Sequence, residues 1–202
     1  MIGIIDYGMG NLASVKNALN EIQQESIISS DVNALHACDK LILPGVGAFG
    51  DCMSNIKQRH LDTFLAEQVA AGKPLLGICL GMQMLFEEST EKGITKGFGF
   101  LKGRVVEIED STVPVPEIGW NELIWNQESR LKKIVSPHPF VYYVHSYYAQ
   151  AQDDDLVAYS TYGSVNVAGI VCRRNVLGTQ FHPEKSGEDG LKILKYYAEE
   201  FQ

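Results

Sequence analysis

The stretch KPLLGICLGMQ, residues 73–83, places a cysteine between two glycines directly after a run of apolar residues. The apolar run predicts a buried strand that ends at Cys79, and the residues after it predict a helix. Gly77 and Gly81 leave the tight turn between them free of side chains that would clash. The pattern G-x-C-x-G is typical of a nucleophile elbow with cysteine in place of serine, and the dipoles at the helix start favour a thiolate. The pattern also fits a structural cysteine buried at a strand–helix turn.

The segments around residues 73–83 alternate between strand-like and helix-like patterns. Short apolar runs predict strands, and apolar residues spaced three and four apart predict helices. The predicted strands are residues 2–7, 25–30, 40–45 and 74–79, and the predicted helices are residues 11–22, about 51–71 and 81–89. Strands that alternate with helices at this spacing predict a parallel sheet covered on both faces.

From about Gly97 the pattern changes to short strands with turns between them. No helix is expected before Gly187, and a final helix is predicted over residues 190–201. The strand-like segments, which we expect to be antiparallel, are residues 103–109, 121–125, 140–150, 156–163, 167–174 and 176–181. With no linker and no internal repeat, residues 1–202 are predicted to form a single α/β domain. It has a mostly parallel central sheet, helices on both faces and an added antiparallel region.

Composition excludes several classes of function. The formal net charge of the 202-residue chain is −8, which argues against a nucleic-acid partner, since such partners require clustered lysine and arginine. No segment approaches the roughly 18 consecutive apolar residues of a membrane span. The four cysteines are too widely spread for a zinc site or a disulfide scaffold. We therefore expect a cytoplasmic protein in which Cys79 is a free thiol.

A cysteine nucleophile needs a base, and QFHPEKS, residues 180–186, contains one in His182. Pro183 is expected to prevent a helix and keep the segment extended, so that His182 and Glu184 point to the same side. The carboxylate could then orient the imidazole and stabilise its protonated form. Cys79, His182 and Glu184 thus fit the pattern of nucleophile, base and orienting group. The alternative is a surface turn with no catalytic role.

The motifs GICLGMQ and QFHPEKS resemble those of the class I glutamine amidotransferases. Further motifs, DYGMGNL, LPGVGAFGD, GWN and VHSYY, narrow the resemblance to the glutaminase subunits of imidazole glycerol phosphate synthases, over nearly the whole chain. The chain departs from many members at VPEIGWN, where Glu117-Ile118 replaces His-Met. The resemblance implies hydrolysis of L-glutamine to glutamate and ammonia through a glutamyl thioester, with no metal or other cofactor. It also implies a heterodimer with a (β/α)8 cyclase/synthase subunit that receives the ammonia through a channel for histidine biosynthesis.

The elbow and the resemblance together suggest roles for further residues. The backbone N–H of Leu80 is expected to stabilise the oxyanion, and the resemblance adds the Val46–Gly47 unit of PGVG, although this segment also fits a plain turn. The residues that the resemblance places at the glutamine site are Gln83, Glu91, His145, Ser146 and Tyr147, the last three on a segment that an ordinary strand would also explain. The expected partner-facing residues are Asn11, Trp120, Asn121 and Lys185.

Several other functions compete with this interpretation. GMGNLA, residues 8–13, followed by Asp31, has the outline of a dinucleotide-binding site. The triad would also fit a stand-alone cysteine hydrolase, and a regulatory subunit with a silent site is a non-enzymatic alternative. Finally, the motifs do not separate a subunit of histidine biosynthesis from a paralogous ammonia donor for sugar amidation.

Overall fold

The computed structural model describes all 202 residues, as fourteen β-strands and seven α-helices. The strands are β1 Ile2–Ile5, β2 Ser26–Ser29, β3 Lys40–Gly45, β4 Leu75–Cys79, β5 Glu88–Ser89, β6 Thr95–Lys96, β7 Gly103–Glu107, β8 Glu117–Glu122, β9 Ile124–Trp125, β10 Phe140–His145, β11 Tyr147–Ala151, β12 Leu156–Tyr162, β13 Val165–Arg173 and β14 Val176–Thr179. The helices are α1 Leu12–Glu21, α2 Val32–His36, α3 Phe49–Gln58, α4 Leu61–Ala70, α5 Leu80–Met84, α6 Arg130–Ile134 and α7 Gly187–Glu199.

The central sheet has eight strands in the order β2-β1-β3-β4-β14-β13-β12-β9. The first five are parallel, and β13, β12 and β9 extend the sheet with antiparallel pairings. Strands β10 and β8 form a separate antiparallel ribbon, and β11, β7, β5 and β6 form a third sheet. The predicted α/β class is confirmed, with a mostly parallel central sheet and an antiparallel addition.

Two apolar clusters cover the two faces of the central sheet. Successive residues of a strand point to opposite faces, so Ile4 and Leu76 join one cluster while Ile5 and Leu75 join the other. Helices α1 and α7 pack on the first face, and α3 and α4 pack on the second. Helices on both faces leave the carboxyl edge of the parallel strands open, where ligands bind in folds of this kind.

Two predicted helices differ from those observed. The helix expected over about 51–71 is two helices, α3 and α4, because His60 adopts a left-handed conformation with φ of 56° and breaks the hydrogen-bonded spiral between them. The helix expected over 81–89 ends at Met84. Residues Glu88–Ser89 pair instead with β6 and β7, so long-range strand pairing overrides the helical pattern there.

Two short helices were not expected. The helix α6 lies in the region predicted to contain only strands, and the Ser129 hydroxyl caps it by accepting from Leu131 N–H. The Asp31 carboxylate, considered above for a dinucleotide, caps α2 by accepting from Asn33 N–H.

The final helix begins at Gly187 rather than Gly190. No helix combines the length and apolar character needed to cross a membrane.

Candidate active site

Cys79 lies at the junction of β4 and α5 in a strained backbone conformation, with φ of 56° and ψ of −114°. The glycines on either side explain how the junction fits against β3. A Cβ on Gly81 would overlap the carbonyl of Leu43, and a Cβ on Gly77 would lie 2.7 Å from the Gly81 oxygen. The predicted strand–turn–helix arrangement around the cysteine is therefore present, and it holds the thiol at the carboxyl end of the central sheet.

His182 and Glu184 meet just beyond β14. The Nδ1 atom of His182 lies 2.8 Å from Oε1 of Glu184, and the two side chains are only 3% and 0% exposed. The extended segment expected around Pro183 is not observed, because Pro183–Lys185 form a 3₁₀ turn. Proline is compatible with the first position of such a turn, so its fixed φ starts the turn instead of preventing it. The predicted contact between the two side chains forms through this different backbone path.

The surroundings of His182 favour its protonated form. Burial by itself lowers the pKa of the imidazole, but the adjacent Cys79 and Glu184 raise it more, to about 10. The second ring nitrogen, Nε2, has no aligned hydrogen-bond partner, and neither does Oε2 of Glu184. The arrangement can therefore hold a thiolate next to an imidazolium, with the Nε2 proton free for transfer.

A cavity of about 350 Å³ opens onto Cys79 and His182. Its walls bring together the other residues predicted for the oxyanion and for glutamine, which are Val46, Gly47, Leu80, Gln83, Glu91, His145, Ser146 and Tyr147. Pro116 and Val144 also line the cavity and were not predicted, since neither carries a polar side chain that would signal a site.

Three backbone N–H groups lie beside the cysteine. Leu80 is the first residue of α5, so its N–H has no intrahelical partner. The N–H groups of Val46 and Gly47 donate to no protein atom. The Val46 carbonyl accepts from Cys52 Sγ at 3.3 Å. This carbonyl and the Gly47 N–H belong to the same peptide unit, and the C=O and N–H of a trans peptide point in opposite directions. The Gly47 N–H therefore points away from Cys52.

Gln83 is part of a chain of amides that ends at the nucleophile. Its Nε2 donates to the Tyr147 carbonyl at 2.8 Å and to Gln180 Oε1 at 3.0 Å. The Nε2 of Gln180 lies 3.8 Å from Cys79 Sγ. Gln180 was not predicted, although it begins the motif QFHPEKS, and the structure shows that it is fully buried. The Gln83 side chain is thus bound within the protein and shapes the pocket wall.

Glu91 is anchored at the pocket by one of its two carboxylate oxygens. Its Oε2 accepts from the backbone N–H of Phe49 at 2.7 Å, at the start of α3. The other oxygen has no protein partner, so one end of the cavity carries a negative group that can accept from a cation.

The residues predicted to face a partner lie outside the cavity. Trp120 is 56% exposed and contacts the Tyr142 ring edge-on, and Lys185 Nζ lies 6.0 Å above the same ring. Asn121 uses its amide within the protein, since Nδ2 donates to Glu117 Oε1 and to Thr161 O. Asn11 lies at the start of α1, half-buried, and no hydrogen bond or ring contact joins it to the others.

Comparison with known proteins agrees with this geometry. Residues 3–198 match the family model of glutamine amidotransferase class-I. A protein of Geobacillus sp. (strain WCH70) named imidazole glycerol phosphate synthase subunit HisH is 52% identical, with 98% of this chain and 96% of that one covered. The protein of the same name from Lactococcus lactis subsp. lactis (strain IL1403) is 49% identical, with 98% of each covered. A crystal structure of a glutamine amidotransferase shares the fold with a TM-score of 0.75 at 18% identity, over 97% of this chain and 96% of that one. This chain belongs to the class I glutamine amidotransferase family.

Proposed function

We propose that this chain is the glutaminase subunit of an imidazole glycerol phosphate synthase and releases ammonia from L-glutamine for histidine biosynthesis. The observation that carries the proposal is the strained Cys79 in one cavity with a His182 that is paired to buried Glu184. Residues 1–202 would act as one glutamine amidotransferase domain. A thiol nucleophile must remain reduced, and this favours a cytoplasmic location.

The first half of the reaction forms a thioester. The Cys79 thiolate attacks the side-chain carboxamide carbon, and the carbonyl electrons move to oxygen. The resulting oxyanion is stabilised by the N–H groups of Leu80 and of the Val46–Gly47 unit, each worth a few kcal/mol. His182 transfers its Nε2 proton to the departing nitrogen, the C–N bond breaks, and ammonia leaves behind a γ-glutamyl thioester.

The second half releases glutamate. Water attacks the thioester carbonyl, and the now neutral His182 accepts a proton from it. The C–S bond then breaks and the thiolate returns next to an imidazolium. Glu184 stabilises that charge at both stages, since its carboxylate contacts the opposite ring nitrogen.

The ends of the cavity suit the two charged groups of the amino acid. The free oxygen of Glu91 would bind the α-ammonium group. Backbone N–H groups of the His145–Tyr147 segment would receive the α-carboxylate, with Gln83 fixing the Tyr147 carbonyl. This orientation would leave the carboxamide at the thiol.

The outer face of the β8–β10 ribbon supports a protein partner. Ile118, Trp120 and Phe140 are 63%, 56% and 51% exposed there, and contiguous apolar surface of this kind marks interaction sites. We propose that this face, with Asn11, Asn121 and Lys185, contacts the (β/α)8 cyclase/synthase subunit of a heterodimer. The ribbon adjoins the active site, because His182 N–H donates to Tyr142 O, so ammonia could pass directly into a channel in the partner.

Glutamate release from L-glutamine tests the function. The chain is assayed alone and with the synthase subunit and its nucleotide ligand, with Cys79→Ala as the blank. Hydrolysis that depends on Cys79 and rises strongly with the liganded partner is the expected result. Equal activity without any partner indicates a stand-alone hydrolase, and a response only to a sugar-amidating partner indicates the paralogous ammonia donor.

The partner surface has its own test. Trp120→Ala should weaken binding of the synthase subunit by about 30-fold or more, as truncation of a buried aromatic anchor does. Ile94→Ala is the matched control, since Ile94 is equally apolar and 73% exposed but lies away from the ribbon, between β5 and β6. Equal affinities of the two variants in titration calorimetry would place the interface elsewhere.

A further inference from the structure

A second buried carboxylate–imidazole pair lies at the wall of the active-site cavity. Glu117 and His145 face each other across the β8–β10 ribbon, with Oε2 and Nε2 3.1 Å apart and both side chains only 3% exposed. The ring nitrogen is not aligned on the oxygen, so the contact is a close approach rather than a well-formed hydrogen bond. Asn121 Nδ2 donates to the other oxygen of Glu117 at 2.9 Å. The catalytic steps proposed above use neither Glu117 nor the imidazole of His145.

The contacts of His145 place an acceptor beside each of its two ring nitrogens. Nδ1 lies 2.9 Å from the Tyr147 carbonyl, and a carbonyl only accepts, so Nδ1 is the donor. Nε2 faces the Glu117 carboxylate. If Nε2 carried a lone pair instead of a proton, that lone pair would repel the carboxylate, and the buried anion would have no counter-charge. The geometry can therefore hold an imidazolium against the Glu117 carboxylate.

The imidazolium is tied to the wall of the cavity. Ser146 is the one residue between β10 and β11, and both Ser146 and Tyr147 line the cavity. The Tyr147 carbonyl accepts from His145 on one side and from Gln83 on the other. Two donors on one oxygen fix the orientation of this bend, and one of them belongs to the ring that contacts Glu117.

We propose that Glu117 is a positioning residue for substrate. It keeps His145 charged, and the buried cation locks the Ser146–Tyr147 bend in the orientation that receives the α-carboxylate of glutamine. His145 and Glu91 both line the cavity, so the cation would attract the α-carboxylate while the Glu91 carboxylate attracts the α-ammonium group. This inference rests on the proposed glutaminase function.

Glu117→Gln tests it, because the substitution keeps the size and an acceptor for Asn121 but removes the charge. In the complex with the synthase subunit, KM for L-glutamine should rise by about 10- to 100-fold, the cost of losing a buried charged contact. The change in kcat should be much smaller, since Cys79 and His182 are untouched. Glu128→Gln is the matched control. Glu128 also pairs with a cation, Lys132, but at the surface and outside the ribbon.

The sharper readout compares L-glutamine with its α-amide, in which a neutral group replaces the α-carboxylate. The wild-type chain should prefer L-glutamine, and Glu117→Gln should reduce the ratio of the two kcat/KM values by about 10-fold or more. A merely structural pair would lower both values equally and leave the ratio unchanged, which would overturn the proposal. Glu128→Gln should leave the ratio at the wild-type value.

A double variant separates the pair from general damage to the fold. If Glu117 acts only through His145, then adding His145→Gln to Glu117→Gln should cost much less than His145→Gln costs alone. Fully additive losses would contradict the proposal. Absence of Cys79-dependent glutaminase activity in the wild-type complex would instead refute the proposed function itself, so the two failures are distinguishable.

Discussion

Removal of the Glu184 charge should shift the alkaline limit of glutaminase activity. The Glu184 carboxylate is fully buried and lies 2.8 Å from Nδ1 of His182. A hydrogen bond to a charged group contributes about 1.5–3 kcal/mol, and 1.36 kcal/mol corresponds to about one pKa unit. In Glu184→Gln the pKa of His182 should therefore fall by about 1–2 units from its wild-type value of about 10.

The pH dependence of kcat/KM measures this shift. His182 must be protonated to donate to the departing ammonia, so the rate falls as pH rises through its pKa. In Glu184→Gln the fall should begin about 1–2 pH units lower than in the wild-type chain. Glu188→Gln is the control, because Glu188 is exposed in the next helix and pairs with Lys192. An unchanged alkaline limb in Glu184→Gln would refute the assignment of Glu184 as the group that stabilises the imidazolium.

Three further perturbations follow from the geometry around the elbow. Gly81→Ala should overpack the elbow and lower the free energy of unfolding, measured in urea, by at least about 1–3 kcal/mol. Gly50→Ala is the control, because α3 has room for the added methyl group, and it should be neutral or stabilising. Equal effects of the two substitutions would contradict the tight packing of the elbow. Cys52→Ala removes the thiol that donates to the Val46 carbonyl in the segment proposed to stabilise the oxyanion. It should lower kcat by about 10-fold, which is less than the loss expected when an oxyanion donor is removed completely. An unchanged kcat would argue against this role of Cys52. Because folding raises the pKa of His182 from 6.5 to about 10, its stabilising contribution is complete below about pH 6.5 and is lost as pH rises through about 10. The urea midpoint of unfolding should therefore decline as pH rises across that range, and it should decline less in Glu184→Gln than in the wild-type chain. Identical pH profiles of the two proteins would show that the pair of His182 and Glu184 adds no stability.

Local patterns identified the elements whose stabilising interactions are local. The elbow could be predicted from the sequence because residues 75–81 contain every part of it, namely the apolar run, the two glycines and the cysteine. The contact between His182 and Glu184 was also predicted, since residues two apart have few ways to separate. The backbone path between them was not, because an extended segment and a 3₁₀ turn both bring these side chains together.

The errors occur where distant partners decide the conformation. The break between α3 and α4 has no proline or glycine to announce it, and His60 takes a left-handed conformation at the junction. Residues Glu88–Ser89 carry a helical pattern but pair with β7, which lies about fifteen residues further along. Hydrogen bonds and packing supplied by other elements outweigh helix propensities of a few tenths of a kcal/mol per residue in such segments.

The sequence alone determined the α/β class, the nucleophile elbow, the pairing of His182 with Glu184 and the resemblance to class I amidotransferases, because each depends on residues close together in the chain. Only the tertiary structure decided that ten of the predicted site residues line one cavity and that Glu117 lies against His145. These two residues are far apart in the chain, and it is the antiparallel register of β8 and β10 that brings them into contact. Register depends on the fit of the whole sheet to its core, which no short motif encodes.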